Sequence, residues 1–169
     1  MAIKHIVFDW GDTIMRDLSF PGPMMNWPEV YLIPDIELAL KELAKEFKLY
    51  VGSNAGDSSF KDIEKALERV GILRYFNRVF SSKDIGYEKP QAEFFESIRT
   101  HLQIKSEELL MIGNSCKNDI EGASKDGWLT IWFNENQQSN KKCESANANI
   151  FHMSHLAELV NELNQYDDI

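Results

Sequence analysis

Four short segments place carboxylate, hydroxyl, amide or amine side chains at or near the end of an apolar run. They are "IVFDWGDTI" at 6–14 with Asp9, "VGSNAGD" at 51–57 with Ser53 and Asn54, "GYEKP" at 86–90 with Lys89, and "GNSCKND" at 113–119 with Asn114 and Asp119. A carboxylate can attack phosphorus and form an aspartyl-phosphate. A hydroxyl, a lysine and a hard divalent cation held by oxygen ligands would offset the charge of the phosphoryl group. Brought together, these side chains suit phosphoryl transfer.

Alternating strands and helices should position these side chains. Apolar runs predict strands, and amphipathic stretches predict helices between them. The strands are expected at 3–8, 48–53, 78–82, 108–113, 128–133 and near 149–152, and the helices at 34–47, 58–72, after Pro90, at 117–127 and at 153–165. This alternation indicates an open, largely parallel sheet covered on both faces. Ligands of such sheets bind beyond the carboxyl ends of the strands, where the strand order reverses.

The composition is that of an ordinary globular protein and argues against some partners. With 169 residues, of which 43% are hydrophobic and 27% charged, the chain is expected to form one domain spanning 1–169. A net charge of −9 argues against a nucleic acid or an anionic membrane as the partner. A small phosphorylated substrate remains compatible, because a local site can be positive on an acidic protein.

The cellular location is predicted from the N-terminus and the cysteines. The segment "MAIKHIVFDW" lacks the long apolar run and cleavage site of a signal peptide, and no apolar run reaches the ~18 residues of a membrane span. Cys116 and Cys143 lie in neither a CxxC motif nor a Cys/His cluster. We therefore predict a cytoplasmic protein whose two thiols are reduced.

The order of the motifs resembles that of a known superfamily. The sequence "FDWGDT … VGSNA … GYEKPQAEFF … LMIGNSCKNDIEGASKDGW" is similar to the haloacid dehalogenase (HAD) superfamily, whose members are mostly magnesium-dependent phosphatases. The resemblance runs from residue 3 to about residue 133 and includes all four family motifs in order. It implies a HAD-like Rossmannoid fold: a three-layer α/β sandwich around an open, mostly parallel sheet of about five to six strands.

The resemblance also implies roles for individual residues. Asp9 would be the nucleophile, and Lys89 would offset the charge around the nucleophile and the phosphate. Phosphoryl oxygens would be bound by Ser53, Asn54 and Lys89. The implied cofactor is Mg²⁺, with ligands from Asp9, the main-chain carbonyl of Gly11, Asn114 and Asp119.

Two positions depart from the family pattern. Hydrolases of this superfamily usually carry an aspartate two residues after the nucleophile, as general acid and base, but this chain has Gly11 there. Asp12 cannot simply replace it, because a shift of one residue redirects the side chain, and loss of a positioned acid costs ~10²–10⁴-fold in rate. Asn114 stands where many relatives have a metal-binding aspartate. An amide adds no negative charge, so Mg²⁺ affinity should fall and Asp119 would carry more of the binding.

These departures leave three functions open. The first is a phosphatase that is slow, or that acts on a substrate with a good leaving group such as an acyl phosphate. The second is other HAD chemistry, namely phosphonate or carbon–halogen cleavage, although Lys89 and Asp119 favour phosphoryl chemistry. The third is a catalytically weak module that binds phosphate or a protein.

The spacing of the motifs predicts a site without a cap domain. Residues 14–33 form a short insert, too small to pack as a domain of its own. An open site suits a bulky phosphorylated substrate, unless a second copy covers it in a homo-oligomer. The apolar side chains of the insert could contact a partner or substrate, or could fold back over the core; they are Phe20, Met24, Met25, Trp27 and Tyr31.

Overall fold

A six-stranded parallel sheet forms the centre of the protein in this computed structural model, which describes residues 2–166. The strands are β1 (His5–Phe8), β2 (Lys48–Ser53), β3 (Arg78–Ser81), β4 (Leu109–Gly113), β5 (Leu129–Phe133) and β6 (Ala148–Ile150). Their order is β3-β2-β1-β4-β5-β6, and every neighbouring pair is parallel. The strand order therefore reverses between β1 and β4, and the prediction of an open parallel sheet is confirmed.

Within residues 2–166, six α-helices connect the strands and cover the sheet. They are α1 (Ile36–Leu43), α2 (Phe60–Arg69), α3 (Ser82–Ile85), α4 (Ala92–Leu102), α5 (Gly122–Lys125) and α6 (Leu156–Tyr166). Side chains alternate along β1: Ile6 and Phe8 pack with α1, α2 and α6, whereas Val7 packs with α4 and α5. The result is the expected three-layer sandwich. Among the described residues, no helix has the length and apolar composition needed to span a bilayer.

Several helices begin at other residues than the sequence predicts, and two of them show why. The helix expected from Pro34 begins at Ile36, because Asp35 has a left-handed backbone with φ of 63°. The helix expected at 117–127 begins as a π-helical turn over Cys116–Glu121 and continues as α5. In that turn the N–H of Ile120 donates to the carbonyl of Ser115, five residues earlier. Both departures depend on local backbone geometry that helical periodicity does not report.

The two cysteines form a disulfide, so the prediction of two reduced thiols is wrong. Cys116 and Cys143 pack with Ile120 and Trp132 in a small apolar cluster. The bond ties the turn after β4 to the segment between β5 and β6. The two cysteines lie 27 positions apart in the sequence, and no sequence signal predicts their pairing, since the fold alone brings them together.

Residues 14–33, which we call the flap, fold back onto the core. Met24 and Trp27 are buried in the larger apolar cluster, and Phe20 packs edge-on against Trp27. The guanidinium of Arg69 on α2 donates to the main-chain carbonyl of Trp27 at 2.6 Å. Tyr31 is exposed. The flap is thus a folded loop held by the core.

Candidate active site

All seven residues singled out in the sequence line one cavity. It lies beyond the carboxyl ends of β1, β2 and β4, at the reversal of strand order, and measures about 350 Å³. The seven are Asp9, Gly11, Ser53, Asn54, Lys89, Asn114 and Asp119. Parallel strands end at the same edge of a sheet, which explains why segments far apart in sequence meet here.

Lys89 is a buried cation between two carboxylates. Its Nζ donates to Asp9 Oδ1, to Asp119 Oδ1 and to the main-chain carbonyl of Gly52, each at 2.7 Å. These three acceptors use all three N–H groups of the ammonium. Burial alone would lower the pKa of Lys89, but the carboxylates of Asp119 and Asp9 outweigh burial and raise it. Lys89 is therefore charged at neutral pH.

Asn54 fixes the backbone of Lys89 through both ends of its amide. Its Nδ2 donates to the carbonyl of Lys89 at 2.8 Å, and its Oδ1 accepts from the N–H of Lys89 at 2.8 Å. The neighbouring Ser53 hydroxyl accepts from the N–H of Ala55 at 3.0 Å. Because Ser53 Oγ acts there as an acceptor, its own proton can be donated to a phosphoryl oxygen. Asn54 thus positions Lys89, while Ser53 is a buried residue in the wall of the cavity.

Asp119 is held by protein donors on both of its carboxylate oxygens. Oδ1 accepts from Lys89, and Oδ2 accepts from the N–H of Ser115 at 3.0 Å. Gly113 is required beside it, because a Cβ there would collide with the Asp119 carboxyl group. Burial raises the pKa of Asp119 to about 6, and the nearby Asp9 carboxylate acts in the same direction. Metal ligation by Asp119 stays a prediction, since both oxygens already accept hydrogen bonds.

The Thr13 hydroxyl lies near both the second oxygen of Asp9 and the amide oxygen of Asn114, at 3.1 Å from Asp9 Oδ2 and 3.4 Å from Asn114 Oδ1. Gly11 and Asn114 line the same cavity as Asp9. A carboxylate, a main-chain carbonyl and an amide oxygen form a donor set of the kind that hard cations prefer. Within residues 2–166, no three His, Cys, Asp or Glu side chains cluster as a metal site, so this donor set carries little negative charge.

Asp12 lies away from this cavity. Its backbone is left-handed, with φ of 56°, and its Oδ1 accepts from the N–H of Asp17 at 3.1 Å. The same oxygen lies 3.5 Å from the guanidinium of Arg16, in a different depression of the surface. The aspartate that follows Gly11 therefore does not stand in for the missing acid.

Sequence reasoning did not single out Asp17, which also lines the cavity. Asp17 belongs to the flap and carries no motif, so only the folded flap reveals its place. A second cavity of about 260 Å³ adjoins the first and shares Trp10, Gly11, Asp17 and Ala55 with it. Its remaining wall is mixed, with apolar Phe20, Met24 and Trp27 beside polar Ser19, Asp57 and Ser58. Asp17 thus lies on the border between the two cavities.

Known proteins with similar sequences are hydrolases. Residues 23–133 match the family described as haloacid dehalogenase-like hydrolase. The pyrimidine 5'-nucleotidase PynA of Streptococcus pneumoniae is 33% identical over 99 residues, which are 58% of this chain and 40% of that protein. The glyceraldehyde 3-phosphate phosphatase of Methanopyrus kandleri is 33% identical over 98 residues, or 58% of this chain and 41% of that protein. The match thus spans about two fifths of the length of these curated relatives.

Solved structures share the fold over nearly the whole chain. A protein from Listeria monocytogenes serotype 4b superposes with a TM-score of 0.85 at 24% identity, covering 96% of this chain and 99% of that one. The magnesium-bound HAD-hydrolase YfnB from Bacillus subtilis gives a TM-score of 0.78 at 18% identity, covering 95% and 100%. These likenesses concern the fold, whereas the family match rests on sequence over more than half of the chain. The chain belongs to the haloacid dehalogenase-like hydrolase family.

Proposed function

We propose that this protein is a phosphohydrolase that works through an aspartyl-phosphate on Asp9. The observation that carries the proposal is the buried Lys89 ammonium, which holds one oxygen of Asp9 at 2.7 Å at the wall of the cavity, while the other oxygen accepts from the Thr13 hydroxyl at 3.1 Å. A carboxylate fixed beside a cation can accept a phosphoryl group, because the cation offsets the charge that accumulates there. Relatives named as phosphatases and as a nucleotidase support the same chemistry.

The reaction would proceed in two displacements. In the first, Asp9 Oδ2 attacks phosphorus, the bond from phosphorus to the leaving oxygen breaks, and the phosphoryl group is joined to Asp9. In the second, water attacks phosphorus and the bond to Asp9 breaks, which releases phosphate and restores the carboxylate. Lys89 stays protonated throughout, and the Ser53 hydroxyl donates to a phosphoryl oxygen. Asp119 keeps Lys89 in place between the two carboxylates.

Mg²⁺ is the proposed cofactor. Asp9, the main-chain carbonyl of Gly11 and the amide oxygen of Asn114 would hold it, and Asp119 stays a predicted ligand. When bound, the ion supplies positive charge between the nucleophile and the phosphate. Its affinity should be modest, because Asp9 is the one carboxylate of the three cavity-facing donors.

Asn114→Asp should bind Mg²⁺ more tightly, by about tenfold, because affinity for hard cations rises with the number of charged ligands. Calorimetric titration of the variant with Mg²⁺ measures this, and the rise in melting temperature on adding Mg²⁺ should be larger than in the wild type. Asn140→Asp, at an exposed position, adds the same charge away from the site and should change neither quantity. Equal Mg²⁺ affinities in Asn114→Asp and the wild type would contradict the assignment of Asn114.

A substrate panel tests the proposed reaction against the other HAD chemistries. Alkyl, aryl and acyl phosphates, phosphonates and 2-haloacids are incubated with the protein and Mg²⁺, beside Asp9→Asn. We expect phosphate release from at least one class of phosphate compound, and none above background from the variant. Halide release without a metal, or carbon–phosphorus cleavage in place of ester hydrolysis, would contradict the proposal. Phosphate binding without turnover of any compound would instead support a binding module.

We further propose that residues 1–169 act as a single catalytic domain without a cap. In place of a cap, the flap contains one 3₁₀ turn at Met24–Asn26 and the bridge from Met15 to Leu32. Such a site would admit a bulky phosphorylated substrate, or would be covered by a second copy of the chain. We propose no nucleic-acid or membrane partner, because the net charge of −9 would repel nucleic acids and anionic membranes.

A cytoplasmic location also stays part of the proposal. The disulfide between Cys116 and Cys143 is the observation that opposes it, because cytoplasmic glutathione and thioredoxin keep most thiols reduced.

A further inference from the structure

The proposed reaction requires a proton that Gly11 cannot give. An alkyl or sugar phosphate loses a strongly basic oxygen when its bond to phosphorus breaks, and a positioned acid normally protonates that oxygen. Asp12 points towards Arg16, and Asp119 is held by Lys89 and Ser115. Neither is placed to act on the leaving oxygen.

The flap brings another carboxylate to the place that a side chain at position 11 would occupy. An ideal Cβ built on Gly11 lies 3.6 Å from Asp17 Cβ and 3.8 Å from Asp17 Oδ2. An aspartate at position 11 would reach into the same space, because its carboxyl oxygens extend beyond that Cβ. Asp17 lies beside this space.

Local hydrogen bonds orient the Asp17 carboxylate. Its Oδ1 accepts from the N–H of Ser19 at 2.8 Å, and its own N–H donates to Asp12 Oδ1 at 3.1 Å. These bonds fix the turn of the flap and leave Oδ2 as the oxygen nearest to Gly11. Asp17 is exposed to solvent, so it can exchange protons with water.

The two adjoining cavities indicate where the leaving oxygen would lie. The cavity with Asp9 and Lys89 suits the phosphoryl group, and the second cavity, which offers the apolar side chains of Phe20 and Trp27 beside polar ones, suits the organic part of a substrate. The oxygen that joins these two parts falls at their border, where Asp17 lies.

The geometry points to Asp17 as the general acid of the reaction, supplied by the flap in place of the usual side chain at position 11. This inference rests on the proposed phosphohydrolase function. As the bond from Asp9 to phosphorus forms and the bond to the leaving oxygen breaks, Asp17 gives its proton to that oxygen, which leaves as a neutral alcohol. Asp17 then takes a proton from the water that attacks the aspartyl-phosphate, which restores both carboxyl groups to their starting states.

Asp17→Asn tests this role through the leaving group. For an alkyl phosphate, kcat/KM should fall by about 10²–10³-fold, because the leaving oxygen then departs unprotonated. For an acyl phosphate, which leaves readily without a proton, kcat/KM should change by less than about threefold. The parameter kcat/KM reports steps up to the departure of the leaving group, so a slower second displacement does not obscure the comparison. Asp35→Asn, outside both cavities and at a left-handed position that accepts asparagine, is the matched control and should lack this dependence on the leaving group.

Gly11→Asp in the Asp17→Asn background separates catalysis from folding of the flap. The added Cβ makes only ordinary contacts, and its carboxyl group returns an acid to the same space. Turnover of the alkyl phosphate should then recover by at least about tenfold over the single variant. A merely structural role for Asp17 predicts no such rescue.

The outcomes distinguish this inference from the proposed function. The role of Asp17 is overturned if Asp17→Asn loses kcat/KM equally for alkyl and acyl phosphates, or for neither. The proposed function still stands in that case if the protein turns over an acyl phosphate and this turnover depends on Asp9. A wild-type protein that hydrolyses neither class overturns both.

Discussion

Lys89→Met should abolish turnover and lower the free energy of unfolding by about 3–5 kcal/mol, because it leaves two carboxylates without their cation. Lys89 Nζ holds Asp9 and Asp119 at 2.7 Å each, and the Lys89 side chain is 1% exposed. Methionine has nearly the same length and flexibility, so it fills the space without supplying charge. The loss should therefore come from electrostatics and desolvation rather than from an empty cavity.

Denaturant unfolding at neutral pH measures this effect. Lys65→Met, at an exposed position on α2, is the control and should change stability by no more than about 0.5 kcal/mol. The double variant Lys89→Met with Asp119→Asn should regain part of the lost stability, because it removes the more deeply buried of the two orphaned carboxylates. It should remain inactive. A Lys89→Met protein as stable as the wild type would show that the three groups are not coupled as described.

Asp9→Asn should reduce turnover by at least about 10⁴-fold, since the proposed bond to phosphorus forms at this carboxylate. Unlike Lys89→Met, this variant should not lower the free energy of unfolding. Two carboxylates share one ammonium in the wild type, so these three side chains together carry an excess of negative charge. In Asp9→Asn the remaining pair, Lys89 and Asp119, is neutral, and the free energy of unfolding should stay equal or rise.

Steady-state assays of phosphate release, together with the same unfolding measurement, test this prediction. Asp35→Asn is a matched control, because its left-handed backbone accepts asparagine readily and it lies outside the cavity. It should retain both activity and stability. An Asp9→Asn protein that keeps more than about a hundredth of the wild-type activity would exclude Asp9 as the nucleophile.

The sequence was sufficient to predict that the site residues lie close together. Strands of a parallel sheet that is buried on both faces are continuous apolar runs, and such runs precede Asp9, Ser53 and Asn114. The carboxyl ends of those strands must lie at one edge of the sheet. Lys89 follows no strand directly, and only its place in the motif order identified it.

The hydrogen-bond partners at the site could not be predicted. Asn54 binds the backbone of Lys89, and Asp119 accepts from the N–H of Ser115. These contacts require separate loops to be placed relative to one another within a few tenths of an ångström. A motif gives the type of side chain at a position, but not which of its atoms are already engaged.

The position of Asp17 and the disulfide also could not be predicted from the sequence. Asp17 reaches the space beside Gly11 only because the flap turns back through its own hydrogen bonds. Cys116 and Cys143 meet because the segment after β5 folds against the turn after β4. Neither contact has a periodic or motif signal, since both depend on how irregular segments fold.

Trapping of the covalent intermediate is the direct test of Asp9 as the nucleophile. The protein is mixed with Mg²⁺ and the best phosphate substrate from the panel, quenched in acid during turnover, digested and analysed by peptide mass. We expect one added phosphoryl group on the peptide that contains Asp9, which hydroxylamine removes and which is absent from Asp9→Asn. Steady turnover with no phosphoryl group on that peptide, or with the group on another residue, would contradict this role of Asp9.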